Sequence, residues 1–117
     1  MIQIYHNQRC GKSRNCLAFI EDSGKEYQMI KYLEDNLSKE ELTSLLKKLN
    51  IEPLELIRQK EKIWIENFMG KTLTDDEIIM AMVENPILIE RPIIINGDKA
   101  IIGRDIEKVN SFTQTLT

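Results

Sequence analysis

The sequence predicts an α/β chain, a small mixed sheet covered by helices. Three observations carry that expectation. The first is a short apolar strand at residues 1–5, followed at once by a helix and then by a second strand candidate, Tyr27 to Tyr32. Such a β-α-β unit needs a parallel, right-handed crossover. Further on, Ile93-Ile94-Ile95 and Ala100-Ile101-Ile102 flank Asn96-Gly97-Asp98, and Asn-Gly between β-branched runs signals a hairpin. Between these regions lie two capping boxes, each opening an apolar stretch of helical period.

Each element has its own reason. Ser13 is a candidate cap for a helix running to about Asp22, with Cys16, Leu17 and Ile20 on one face and Gly24 as the stop. Ser38-Lys39-Glu40-Glu41 is a capping box, and Leu42, Leu45, Leu46 and Leu49 follow at i, i+3, i+4 and i+7. Pro53 suits the first turn of a further helix carrying Leu54, Ile57 and Arg58. Over residues 60–73 the element type is open, but Trp64, Ile65 and Phe68 are expected to be largely buried. Thr74-Asp75-Asp76-Glu77 opens a helix with Ile78, Ile79, Met82 and Val83 inward, and Asn85-Pro86 ends it. Asp105 to Phe112 forms a short closing helix.

The 117 residues are one domain by length, with no linker, repeat or low-complexity segment. A net charge of −3 and a pI near 5.2 argue against general nucleic-acid binding. No run approaches the ~18 apolar residues of a membrane span, and no basic-then-apolar leader is visible. A cytoplasmic protein is expected, and two cysteines then suggest reduced thiols rather than a disulfide scaffold.

Cys10 is the chemical focus. It lies between a strand end and a helix start in Tyr5-His6-Asn7-Gln8-Arg9-Cys10-Gly11-Lys12-Ser13-Arg14-Asn15. There it meets unpaired N–H groups and the positive end of a helix dipole, both of which favour the nucleophilic thiolate. Arg9, Lys12 and Arg14 push the same way. A phosphate loop of the G-x-x-x-x-G-K-[ST] kind fails because His6 stands where the first glycine is needed. A tyrosine-phosphatase loop would need arginine where Cys16 stands, and a dithiol C-x-x-C would need cysteine at Ser13. A single-cysteine C-x-x-S site remains.

Cys16 is a poor resolving thiol. On one helix it would be roughly 9 Å along the axis and about 240° around it from Cys10, whereas a disulfide needs Cα atoms within about 7 Å. A buried structural role fits better. His6, the only histidine, is either an exposed strand-end residue or a hydrogen-bonding partner of the thiolate region. One histidine and two cysteines offer no metal spacing. The five arginines, Arg9, Arg14, Arg58, Arg91 and Arg104, are scattered surface charge by count alone, although their planar forks suit oxyanions.

The stretch Tyr5–Asn15 resembles the active-site segment of the glutaredoxin-coupled arsenate reductases, the ArsC family. Pro86-Ile87-Leu88-Ile89-Glu90-Arg91-Pro92-Ile93 resembles that family's second signature. The resemblance runs from residue 1 to about 110. It implies a thioredoxin-like mixed four-stranded sheet, with a helical insertion at about 36–85 between the βαβ and ββα halves, in a single domain over 1–117. It implies a cis peptide before Pro92, facing the thiol. By position, Cys10 matches the nucleophile and His6 its nearby histidine, while Arg58, Arg91 and Arg104 match three oxyanion-binding arginines. Ser13, Arg14 and Pro92 would shape the site. Where the family usually has proline two residues before the cysteine, this chain has Gln8.

The activity so implied is reduction of arsenate, or a similar oxyanion, by a monomer with no bound cofactor. Glutathione would be co-substrate and glutaredoxin the recycling partner. Two rivals stand beside it: a glutathione-linked thiol oxidoreductase with another substrate, and a partner-binding regulator of the Spx type, which typically carries C-x-x-C.

Overall fold

The computed structural model of the chain describes residues 2–7, 9–34, 37–103 and 106–114. The chain divides into two compact units, Met1–Asp35 with Arg91–Thr117, and Asn36–Glu90.

The first unit is built on a four-stranded sheet in the order β2-β1-β3-β4. Its strands are β1 (Ile2–Tyr5), β2 (Tyr27–Ile30), β3 (Ile93–Asn96) and β4 (Lys99–Ile102). β1 runs parallel to β2, with Ile2 opposite Tyr27, and antiparallel to β3, with Ile4 opposite Ile94. β3 and β4 form the hairpin expected from Asn96-Gly97-Asp98. Asn96 pairs with Lys99, so the turn residues are Gly97 and Asp98, and Gly97 takes the left-handed φ of 62° that such a turn requires.

Helices α1 (Gly11–Asp22) and α5 (Ile106–Gln114) pack together in this unit. Ile2, Ile4, Cys16, Ile20, Ile94 and Val109 form its buried cluster, so the apolar faces of both helices and of the sheet's first layer share one core. α1 ends at Ser23-Gly24, where Gly24 has a φ of 74°. Its start differs from expectation. Cys10, not Ser13, is the N-cap residue, and Ser13 is fully buried in the first turn. The Ser13 hydroxyl is taken up by neighbours outside the helix, so it cannot cap.

The second unit is helical. α2 (Lys39–Leu49) and α4 (Asp75–Glu84) pack on each other. Both open with complete capping boxes, at Ser38/Glu41 and Thr74/Glu77, as the sequence predicts. Leu42, Leu45 and Leu46 of α2 and Ile78, Ile79, Ala81 and Met82 of α4 are buried. α4 stops at Asn85, before a 3-10 turn at Pro86–Leu88.

Two expectations change here. Pro53 starts only a 3-10 turn, Pro53–Leu56, and Ile57 and Arg58 are not helical. Ile57 forms a β-bridge with Ile89, the Arg58 N–H donates to Leu88 O at 2.7 Å, and Glu90 N–H donates to Leu56 O at 2.8 Å. That pairing of two chain segments outweighs helix propagation at a β-branched residue. Residues 60–73 contain α3 (Lys62–Asn67), where Trp64 is buried and stacks on Phe68 at 5.4 Å, but Ile65 is 48% exposed. One short helix turns only one narrow face inward, and Trp64 takes it.

Among the described residues, no helix is long and apolar enough to cross a membrane.

Candidate active site

The loop from β1 to α1 is fastened by its own backbone. Asn7 is buried; its main-chain carbonyl accepts the Cys10 N–H at 3.0 Å and its Oδ1 accepts the Arg9 N–H at 2.9 Å. This is the local bonding that makes asparagine a turn residue. The Arg14 N–H then donates to Cys10 O at 3.0 Å, closing the first helical turn. Cys10 is thereby held at the mouth of α1 with extended φ and ψ of −95° and 122°.

The Cys10 thiol is partly exposed. Its Sγ makes no cap bond of strict geometry, yet neighbouring donors act on it. Burial pushes the thiol pKa up, but more than offsetting this are the Ser13 N–H, a side-chain hydrogen bond from Arg91, the Arg91 charge and the Lys12 N–H. The net result lies below the ordinary thiol value. Cys16 behaves oppositely: it is fully buried in the α1 face, and burial alone raises its pKa to about 12. The two cysteines differ because one faces N–H donors and a guanidinium while the other faces isoleucines.

His6 is buried, which disposes of the exposed strand-end reading. Its Nδ1 lies 2.6 Å from Ser13 Oγ, and the same oxygen accepts the Asn7 N–H at 3.0 Å. Among the described residues the ring's hydrogen bond goes to Ser13 and not to the thiol. Burial lowers the His6 pKa, the charges of Lys31 and Arg14 add to the effect, and a bond to the Ser13 backbone opposes it. His6 is thus a neutral ring at pH 7. Ser13 is the joint of the site: its N–H faces the sulfur and its hydroxyl holds the imidazole.

Arg91 opens the return of the chain to β3, and the Arg91–Pro92 peptide is cis, as the family resemblance implies. Its guanidinium lies close enough to the Cys10 thiol to lower its pKa, while Nε and Nη1 are buried without a hydrogen-bond partner among the described residues. Buried guanidinium N–H groups left unpaired cost free energy unless an acceptor arrives. Pro92 O accepts the Gly103 N–H at 2.7 Å, and a Cβ at Gly103 would come within 3.1 Å of Cys16 Sγ and 3.3 Å of Pro92 Cγ. A side chain there would press on these atoms, which would have to give by a few tenths of an ångström.

Cys10, His6, Ser13 and Arg91 thus meet in the first unit, with Arg14 exposed on α1 near His6, while Pro92 packs beside Gly103. Arg58 belongs to the second unit, where its Nη1 donates to Glu61 Oε2 at 2.7 Å. Arg104 and Gln8 lie outside the described residues. Two contributors were not singled out from sequence: Asn7, whose turn-forming residue type was the available signal, and Gly103, whose close packing leaves none. Among the described residues no group of histidine, cysteine or carboxylate side chains could hold a metal ion.

Residues 5–112 match the model of the ArsC family. The chain belongs to the ArsC family. An arsenate reductase of Haemophilus influenzae is 43% identical over 108 residues, covering 91% of this chain and 93% of that protein. The uncharacterized protein YfgD of Escherichia coli is also 43% identical, over 110 residues and 92% of each chain. A solved arsenate reductase from Vibrio cholerae superposes with a TM-score of 0.90 at 43% identity, covering 94% of this chain and 95% of that one. This ArsC-family chain therefore shares its thioredoxin-like mixed sheet and helices with relatives along nearly its whole length.

Proposed function

We propose that the protein is a thiol-dependent oxyanion reductase that converts arsenate to arsenite through a covalent Cys10 adduct. One observation carries this reading: a thiol held below its ordinary pKa by Ser13 N–H and Arg91, whose guanidinium keeps two buried donors unpaired among the described residues. That pairing suits a nucleophile beside an anion receptor. The relatives named arsenate reductase give the anion its identity.

Cys10 thiolate attacks arsenic, an As–S bond forms, and one oxygen leaves as water once protonated. Arsenic remains pentavalent at this stage. Arg91, with Arg58 and Arg104 carried over from the family pattern, neutralises the oxygens and the charge that builds on them. The thiolate of glutathione then attacks Cys10 Sγ. The As–S electron pair passes to arsenic, which leaves as trivalent arsenite, and the two sulfurs form a mixed disulfide. Glutaredoxin reduces that disulfide by thiol exchange and restores Cys10. An external thiol is required because Cys16 is buried, protonated and six positions along a helix. His6, neutral and tied to Ser13, positions the loop rather than supplying a charge.

The test is arsenite production with glutathione and glutaredoxin present. Wild-type protein is expected to turn over and Cys10→Ser to give none. Arsenite formed by Cys10→Ser at a rate near wild type would end this reading. Equal or faster turnover of a glutathione mixed disulfide, with no arsenate reduction, would move the protein to the thiol-oxidoreductase class.

A further inference from the structure

Arg58, taken as an oxyanion-binding arginine, already has an anion on it. Its Nη1 donates to Glu61 Oε2 at 2.7 Å, a charge-assisted bond between side chains that are each less than a third exposed. The backbone fixes both partners. Arg58 N–H is bonded to Leu88 O beside the Ile57–Ile89 bridge, and Glu61 N–H donates to Arg58 O at 3.0 Å. Glu61 is also the N-cap residue of α3, where a carboxylate would ordinarily turn to the helix N–H groups. It does not; the cap position carries no side-chain bond. The carboxylate is directed to the guanidinium instead.

We propose that Glu61 is a specificity-determining residue for oxyanion binding. Its carboxylate occupies one arm of Arg58 and competes with the incoming anion. The inference rests on the reading of Arg58 as a substrate-binding residue. An oxyanion must either share the fork, using Nε and Nη2, or displace the carboxylate from Nη1. In both cases it meets a fixed negative charge. The penalty grows with the charge of the ligand, so Glu61 weakens a dianion more than a monoanion of the same shape. Tetrahedral oxyanions that titrate near neutrality, arsenate and phosphate among them, are then sorted partly by protonation state.

The experiment is steady-state arsenate reduction with inorganic phosphate as competing probe, at pH 6 and pH 8, for wild type, Glu61→Gln, Arg58→Gln and the double variant. The glutamine side chain keeps an acceptor for Nη1 but removes the charge. Glu61→Gln should lower the arsenate KM and the phosphate Ki by roughly fivefold at pH 8, less at pH 6, with kcat little changed. In the Arg58→Gln background the same change should have a clearly smaller effect, because the carboxylate is no longer held in the fork the anion would use. Glu61→Ser, a stronger helix cap, should act in the same direction and guards against a folding defect in the glutamine variant. An unchanged or raised KM in both Glu61 variants overturns the inference while Arg58→Gln still weakens binding. A KM untouched by Arg58→Gln overturns the Arg58 reading itself and the inference with it.

Discussion

At the scale of single residues, the site is decided by who faces the sulfur. Cys10 and Cys16 carry the same thiol, yet Ser13 N–H and Arg91 draw one down while apolar burial drives the other up to about 12. Arg91 supplies geometry as well as charge. Arg91→Lys retains the charge but loses the fork, and kcat/KM for arsenate should fall by about 10²-fold, measurable in the coupled assay. Arg91→Gln removes a group that lowers the Cys10 pKa. The acidic limb of the pH–rate profile, which falls as the thiolate is protonated, should then move to higher pH. Ser13→Ala leaves the N–H that faces Cys10 but strips the partner of buried His6 and of the Asn7 N–H. The expected loss is about 1–3 kcal/mol of stability, read by urea denaturation, with little change in thiol pKa.

At the scale of elements, α1 has one face that must serve two ends. Its start presents N–H groups to Cys10 and its buried stripe of Ser13, Cys16 and Ile20 lies in the core. Just after β4, a side chain on Gly103 would be crowded against Cys16, Ile94 and Pro92. Gly103→Ala should therefore cost about 1–3 kcal/mol through overpacking and lower arsenate turnover, checked by thermal melting beside the activity assay. Cys16 predicts an alkaline response. Its folded pKa is raised, so the protonated thiol's contribution is complete below the ordinary thiol pKa. Stability is lost as pH rises from that range towards 12. Melting temperature across that window should fall less steeply in Cys16→Ala than in wild type.

At the scale of the whole molecule, chemistry is set by how many usable thiols the chain owns. It has two cysteines, and one is locked in the core. Mixing protein and arsenate without added thiol should yield no free arsenite, while glutathione should release it; arsenite formed by the protein alone would show that Cys16 can reach Cys10. The two compact units divide the candidate residues between them, with Cys10, His6 and Arg91 in one and Arg58 in the other. Within the second unit Arg58 is paired with Glu61, so any role of Arg58 as an anion receptor would be tuned there.

Local chemistry was legible from residues alone. Ser38 and Thr74 close capping boxes with acceptors three residues on, Gly97 supplies a positive φ, and Cys10 lies at a strand-to-helix junction; each depends on near neighbours in the chain. The tertiary structure decided the rest. It turned Ile57 and Arg58 away from helix by pairing them with Leu88 and Ile89, buried His6 on Ser13, brought Arg91 to Cys10 from the far end of the sequence, and set Glu61 against Arg58. Those outcomes depend on desolvation and on partners distant in sequence or on competition for a hydrogen bond, and no short-range pattern of residue types encodes them.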